Sequence, residues 1–169
     1  MTNKLPIFLV MVILTSLYTV SAEGQDIGET AIDFSGTTNT GEVVSLSSFQ
    51  GKVVVLDFWA SWCGPCLVEM PFLIEVYDEL ENPELEILAI NLDEEQDYMN
   101  EFLERLDAQP KFPIILDPAG DIAQHYDLQG MPTTVFIDRA GVTQYVHTGF
   151  KKKDKQKYRD ILNDLLNQN

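Results

Sequence analysis

Apolar positions along this 169-residue chain fall into blocks whose spacing changes from one to the next. Residues 5–14 are almost wholly apolar, follow the charge of Lys4, and are extended by Leu17, Tyr18 and Val20. Residues 52–59 are apolar on both faces except at Asp57, the pattern of a buried strand. Leu67, Met70, Leu73, Ile74, Tyr77 and Leu80 recur at helical spacing. They predict a helix that starts near Cys63, kinks at Pro71 and ends at Asn82-Pro83. Residues 85–91 read as the next strand. Residues 94–106 read as an acidic amphipathic helix with Met99, Phe102, Leu103 and Leu106 on one face. A short apolar strand (112–116) and a short helix (121–126) follow. Residues 133–138 and 142–148 flank Arg139-Ala140-Gly141 as a hairpin, and residues 155–166 close the chain as a helix with Tyr158, Ile161, Leu162, Leu165 and Leu166 inward. Before all of these, residues 31–34 and 43–46 flank the turn-rich Asn39-Thr40-Gly41 and predict an N-terminal hairpin.

Strands that first alternate with helices, then a hairpin and a helix, make an α/β fold: a three-layer sandwich with a mixed central sheet flanked by helices. There is no internal repeat, low-complexity tract or interdomain linker, so a single domain over residues 23–169 is expected. Residues 1–22 read as a signal peptide. A positive start leads into an apolar core, and Val20-Ser21-Ala22 offers small residues for cleavage after Ala22. The apolar run falls short of the roughly 20 residues that span a bilayer. The alternative is an uncleaved anchor, and either way the domain is exported. No cysteine near the junction would take a lipid.

Charge narrows the partners. Lys4 is the sole charge in residues 1–22, so the remainder carries 10 basic and 27 acidic side chains, a net of −17. Residues 151–169 hold 6 of the basic side chains and 3 of the acidic ones, which leaves 4 against 24 for residues 23–150. Nucleic acid is excluded as a partner. The acidity fits solubility in a salty exterior, or steering of basic clients. The basic run at 151–159 is the solvated face of a terminal helix or a contact for anionic lipid.

The chemistry is concentrated in Trp62-Cys63-Gly64-Pro65-Cys66, which contains both cysteines of the chain. They follow the buried strand and open the long helix, an arrangement that favours a thiolate at the helix N-terminus. A disulfide over two intervening residues closes too small a loop to constrain the unfolded chain much, so a reversible redox couple is the better reading than a structural staple. The redox equivalents are then carried by Cys63 and Cys66 themselves, with no bound cofactor. His125 and His147 have no ligand-type spacing to the cysteines or to each other, so no metal site is expected. Leu67 stands where covalent haem attachment needs a histidine.

The segment 57–66, Asp57-Phe58-Trp59-Ala60-Ser61-Trp62-Cys63-Gly64-Pro65-Cys66, closely resembles the active-site segment of thioredoxins. Pro71 matches the thioredoxin helix kink, and Met131-Pro132-Thr133 resembles the loop whose proline is cis in that fold. Residues 43–52, the run Cys66-Leu67-Val68-Glu69-Met70-Pro71 and the extra helix and strand between Asn91 and Asp117 resemble TlpA- and ResA-like exported thioredoxins. The resemblance covers roughly residues 27–166 and implies a thiol–disulfide oxidoreductase, more a reductant than an oxidant. Cys63, the more exposed sulfur, would attack, and Cys66 would resolve the mixed disulfide. Two acids are candidates to take the Cys66 proton: Asp57 beneath the motif, and Glu69, expected near that sulfur on the helix surface. Trp59 and Trp62 are expected to be half core and half surface, with Trp62 flanking the attacking sulfur and Trp59 packed beneath the loop; a wholly core Trp59 is the alternative. Pro132 would present the backbone at Met131 for strand-like pairing with a client.

The resemblance also implies protein clients, apocytochrome c or other exported cysteine proteins among them, and a membrane electron donor. Residues 130–134 lack the Pro-Glu pairing of dedicated cytochrome c maturation members. Two rivals share the fold: a disulfide-donating oxidant, and a Sco-type copper carrier, whose group spaces its cysteines by three residues rather than two.

Overall fold

The computed structural model describes residues 26–168. The signal segment therefore lies outside the described residues. Seven strands form one mixed sheet in the order β2-β1-β5-β4-β3-β6-β7. Its centre is β3 (Val53–Trp59) and β4 (Leu85–Asn91), parallel and buried along their whole lengths, as their mostly apolar sequences, broken only by Asp57, Glu86 and Asn91, lead one to expect. β5 (Ile114–Leu116) continues the parallel set beside β4. β6 (Thr133–Ile137) lies antiparallel to β3, and β7 (Thr143–Thr148) pairs with β6 as the predicted hairpin. β1 (Ser35–Thr38) and β2 (Val43–Ser45) add the N-terminal hairpin against β5.

The helices α1 (Cys66–Leu80), α2 (Gln96–Leu103), α3 (Asp121–His125) and α4 (Lys155–Asn167) complete the sandwich. One face of the sheet packs Trp59, Phe72, Ile87, Phe136, Phe150 and Tyr158 into the larger core. The other packs Phe34, Phe58, Leu88, Ile90, Val135 and Tyr126. Among the described residues, no helix is long and apolar enough to cross a membrane.

Three of the differences from the expected boundaries have a clear local reason. The first hairpin strand is Ser35–Thr38, not residues 31–34. The earlier segment runs past the end of the sheet, with Ala31 N–H bonded to Gly141 O and Phe34 packed edge-on to Tyr126. Its apolar side chains thus report packing rather than a strand ladder. Helix α2 stops at Leu103, where the Gln109 side-chain amide donates to the Leu103 carbonyl. Helix α1 starts at Cys66 instead of near Cys63, because Gly64 and Pro65 form the turn and Pro65 is the N-cap.

Gly36 shows how closely the hairpin sits on the core. A Cβ there would lie 2.4 Å from Ile115 Cγ2, inside β5. Gly36→Ala is therefore expected to destabilise the domain by about 1–3 kcal/mol. A denaturant melt with a lowered midpoint and unchanged slope would show this; an unchanged midpoint would contradict the close approach.

Candidate active site

The site forms where β3 ends and α1 begins, at the carboxyl ends of the parallel strands. Cys63 and Cys66 are joined in a disulfide. Cys63 is 5 % exposed and Cys66 1 %, so Cys63 is the more accessible sulfur, by a narrow margin. The N–H of Cys66, first residue of α1, donates to Cys63 Sγ at 3.3 Å. That bond and the helix N-terminus both favour negative charge on Cys63. Trp62 stands 70 % exposed beside the motif, while Gly64 and Pro65 are exposed in the turn. The Met131–Pro132 peptide is cis, as expected, with Pro132 buried and Met131 partly buried.

Two expectations about side chains need correcting. Trp59 is wholly buried, tilted against Phe102 with ring centroids 4.9 Å apart. As the last residue of β3 it faces the larger core, so none of it is surface. Glu69 is not on the helix surface: it is fully buried. Its position, three residues after Cys66, puts it on the helix face turned to the sheet. There its Oε1 accepts hydrogen bonds from Thr134 Oγ1 on β6 (2.7 Å) and Tyr158 OH on α4 (2.9 Å). Its Oε2 has no partner among the described residues.

Asp57, in the middle of β3, is also buried, and its Oδ1 has no partner either. It sits in register with Thr134 across the β3–β6 pair, which brings it to the side of the sheet from which Thr134 meets Glu69. Burial pushes the Asp57 carboxyl well above the usual range, and the negative charge of Glu69 adds to this. Burial also raises Glu69, to about 7, against the opposing pull of the Thr134 and Tyr158 hydroxyls and with a further push from Asp154. Two buried carboxyls with raised proton affinity therefore flank the motif in the chain, one in the strand that leads to it and one in the first turn of α1, and Glu69 can hold and release a proton near neutrality.

The family model described as Redoxin matches residues 26–162. The chain belongs to the redoxin family. Within this redoxin, 142 residues are 34 % identical to the thiol-disulfide oxidoreductase ResA of Bacillus thuringiensis subsp. konkukian, over 83 % of this chain and 81 % of that one. Identity to the ResA of Geobacillus kaustophilus is 37 % over 128 residues, 76 % of this chain and 72 % of the other. A solved structure from Chlorobium tepidum, assigned as the thiol:disulfide interchange protein DsbE, superposes with a TM-score of 0.79 at 36 % identity, covering 85 % of this chain and 99 % of that one. The redoxin is thus a TlpA/ResA-like thioredoxin-fold protein and a thiol–disulfide oxidoreductase.

Sequence reasoning missed several residues that shape the site. Asp93 is buried just after β4 and accepts from Ser61 N–H (3.0 Å), Ser61 Oγ (2.8 Å) and Asn91 Nδ2 (2.8 Å), which anchors the loop leading to Cys63. Thr134 and Tyr158, the donors to Glu69, were legible only as a strand residue and an inward helix residue. His125 is exposed on α3, and His147 lies 3.6 Å from Asp154. Among the described residues no three histidine, cysteine or acidic side chains gather as a metal site.

Proposed function

We propose that this redoxin is an exported reductant of disulfides in extracytoplasmic client proteins, working without a bound cofactor. The observation that carries the reading is the disulfide at the head of α1, with Glu69 buried three residues after Cys66 and Asp57 buried in the strand that leads to the motif. In the reduced enzyme, the Cys63 thiolate attacks a client disulfide. The client S–S bond breaks, one client sulfur leaves as a thiolate that takes a proton from water, and the other stays bound to Cys63. Cys66 then loses its proton to a buried carboxylate and attacks Cys63 Sγ. The Cys63–Cys66 bond forms as the second client sulfur departs. The client has gained two electrons and the enzyme dithiol has lost two.

Glu69 is the better acceptor of the Cys66 proton, because its carboxyl titrates near 7 and so exists in both forms at working pH. Asp57 is the second buried carboxyl, its proton affinity raised by burial and by the charge of Glu69. Trp62 offers the client an exposed indole, and the backbone at Met131, ahead of the cis proline, is the segment read as pairing with it. Return to the dithiol needs an electron donor, which in an oxidising compartment is a membrane reductant.

The reduction potential of the Cys63/Cys66 couple tests the direction. A value near or below about −220 mV, in the range of thioredoxins and glutaredoxins, is expected of a reductant. A value near roughly −120 mV, that of a strong oxidant, would make the protein a disulfide donor. Failure to form a reversible disulfide would replace the redox reading with the metal-carrier one.

A further inference from the structure

Three oxygen atoms from three distant parts of the chain meet in the core at the first turn of α1, the helix that begins with Cys66. Glu69 Oε1 comes from α1, Thr134 Oγ1 from β6 and Tyr158 OH from α4. Thr134 Oγ1 and Tyr158 OH stand 2.7 and 2.9 Å from the acid oxygen and 2.8 Å from each other, so all three edges of the triangle are at hydrogen-bond length. All three residues are buried. Tyr158 is locked there by edge-on contacts with Phe136, Phe150 and His147, at centroid separations of 5.0, 5.2 and 5.5 Å.

Hydrogen counting says what this triangle can do. Each hydroxyl has one hydrogen and can turn it, a carboxylate has none, and a carboxylic acid has one. With Glu69 ionised, both hydroxyls donate to Oε1. With Glu69 protonated, three hydrogens close a ring around the triangle. The same heavy-atom positions thus serve both protonation states, with only hydroxyl hydrogens reorienting. The two states are not equal in strength, since bonds to a charged acceptor are roughly twice as strong as neutral ones. The hydroxyl pair therefore favours the ionised acid.

Apart from the N-terminus of α1, in whose first turn Glu69 lies, no other group facing Glu69 does so. Asp57 on β3 and Asp154 ahead of α4 are acids. His147 on β7 points Nε2 toward Asp154 at 3.6 Å rather than toward Glu69. The neighbouring cysteines of the oxidised form are a neutral disulfide. No lysine or arginine among the described residues bonds to Glu69.

We propose that Tyr158, acting with Thr134, is a positioning residue for proton transfer in this oxidoreductase: its hydroxyl keeps Glu69 able to give up and take back a proton at neutral pH. Without the hydroxyl pair, burial beside two acids would hold Glu69 largely protonated at neutral pH and slow its acceptance of the Cys66 proton. The terminal helix α4 is then part of the active site. The inference rests on the reading of Glu69 as the acceptor of the Cys66 proton.

The test is a carbon-13 NMR titration of the Glu69 carboxyl in the oxidised full chain, paired with the pH profile of mixed-disulfide resolution. In Tyr158→Phe the carboxyl inflection is expected to move up from about 7 by about one pH unit, a tenfold gain in proton affinity, and the rate profile to move with it. Thr134→Val should move both in the same direction, and Thr134→Ser, which keeps the hydroxyl, should move neither. A purely structural role for Tyr158 would lower the melting temperature and leave the inflection in place. An unmoved inflection in both Tyr158→Phe and Thr134→Val overturns the proposal, while Glu69 as acceptor still stands or falls by Glu69→Gln. A shifted carboxyl with a resolution profile that neither Tyr158→Phe nor Glu69→Gln alters overturns both.

Discussion

Cys66→Ser is expected to lower turnover by more than about a thousandfold while leaving the first chemical step intact. Cys63 lies on the approach side of the disulfide beside exposed Trp62, and the Cys66 backbone N–H that donates to its sulfur survives the substitution. The variant should still attack a client disulfide. It has no second thiol with which to release that client, so a mixed disulfide through Cys63 should accumulate. Non-reducing electrophoresis after incubation with a disulfide-bonded client, followed by mass mapping of the cross-link, reads this directly. Cys63→Ser should lose turnover to the same degree and trap nothing. A trap through the 66 position, or full turnover in either variant, would sink the assignment of attacking and resolving sulfurs. A copper carrier would behave differently: both variants would lose bound metal and neither would cross-link.

Legibility from sequence followed how local the determining contacts are. Strand β4 was read at its observed bounds because a run buried on both faces announces itself in composition alone. The redox motif was equally plain, since its chemistry is written in five consecutive residues. The surroundings of Glu69 were not. A glutamate at the fourth position of a helix reads as a solvated, dipole-favoured carboxylate. Here it is buried by contacts 65 and 89 residues away in the chain, to Thr134 and Tyr158. Asp93 was missed for the same reason: its bonds to Ser61 span 32 residues, and nothing near it in sequence marks it as buried. The available clue was positional, since Asp93 lies just past the carboxyl end of a central parallel strand, where α/β folds gather their sites. Trp59 misled in the opposite direction. An indole next to a reactive motif suggested partial exposure, yet its place at the end of a fully buried strand decided the matter.

The same buried acids should make the oxidised protein lose stability as pH rises. Glu69 titrates at about 7 in the fold against an ordinary value of 4.5. Between these values the native state binds more protons than the unfolded chain, so the free energy of unfolding falls with increasing pH. The contribution of Glu69 is fully present below pH 4.5 and is lost as pH passes through about 7. Two and a half pH units at roughly 1.4 kcal/mol each amount to about 3 kcal/mol. Asp57 acts in the same direction, because its folded-state carboxyl is also raised, so the full slope is steeper than Glu69 alone gives. Glu69→Gln removes the titration but keeps an oxygen to accept from Thr134 and Tyr158. Relative to the parent, the variant should therefore gain up to about 3 kcal/mol between pH 4.5 and pH 8, whatever its offset at low pH. Urea melts of both proteins across this range isolate Glu69 together with its charge's effect on Asp57, since the other carboxylates common to both cancel in the difference. A difference that stays flat with pH would mean that Glu69 titrates normally. Its burial would then no longer explain how a carboxyl in the first turn of α1 could take a proton from Cys66 and later return it.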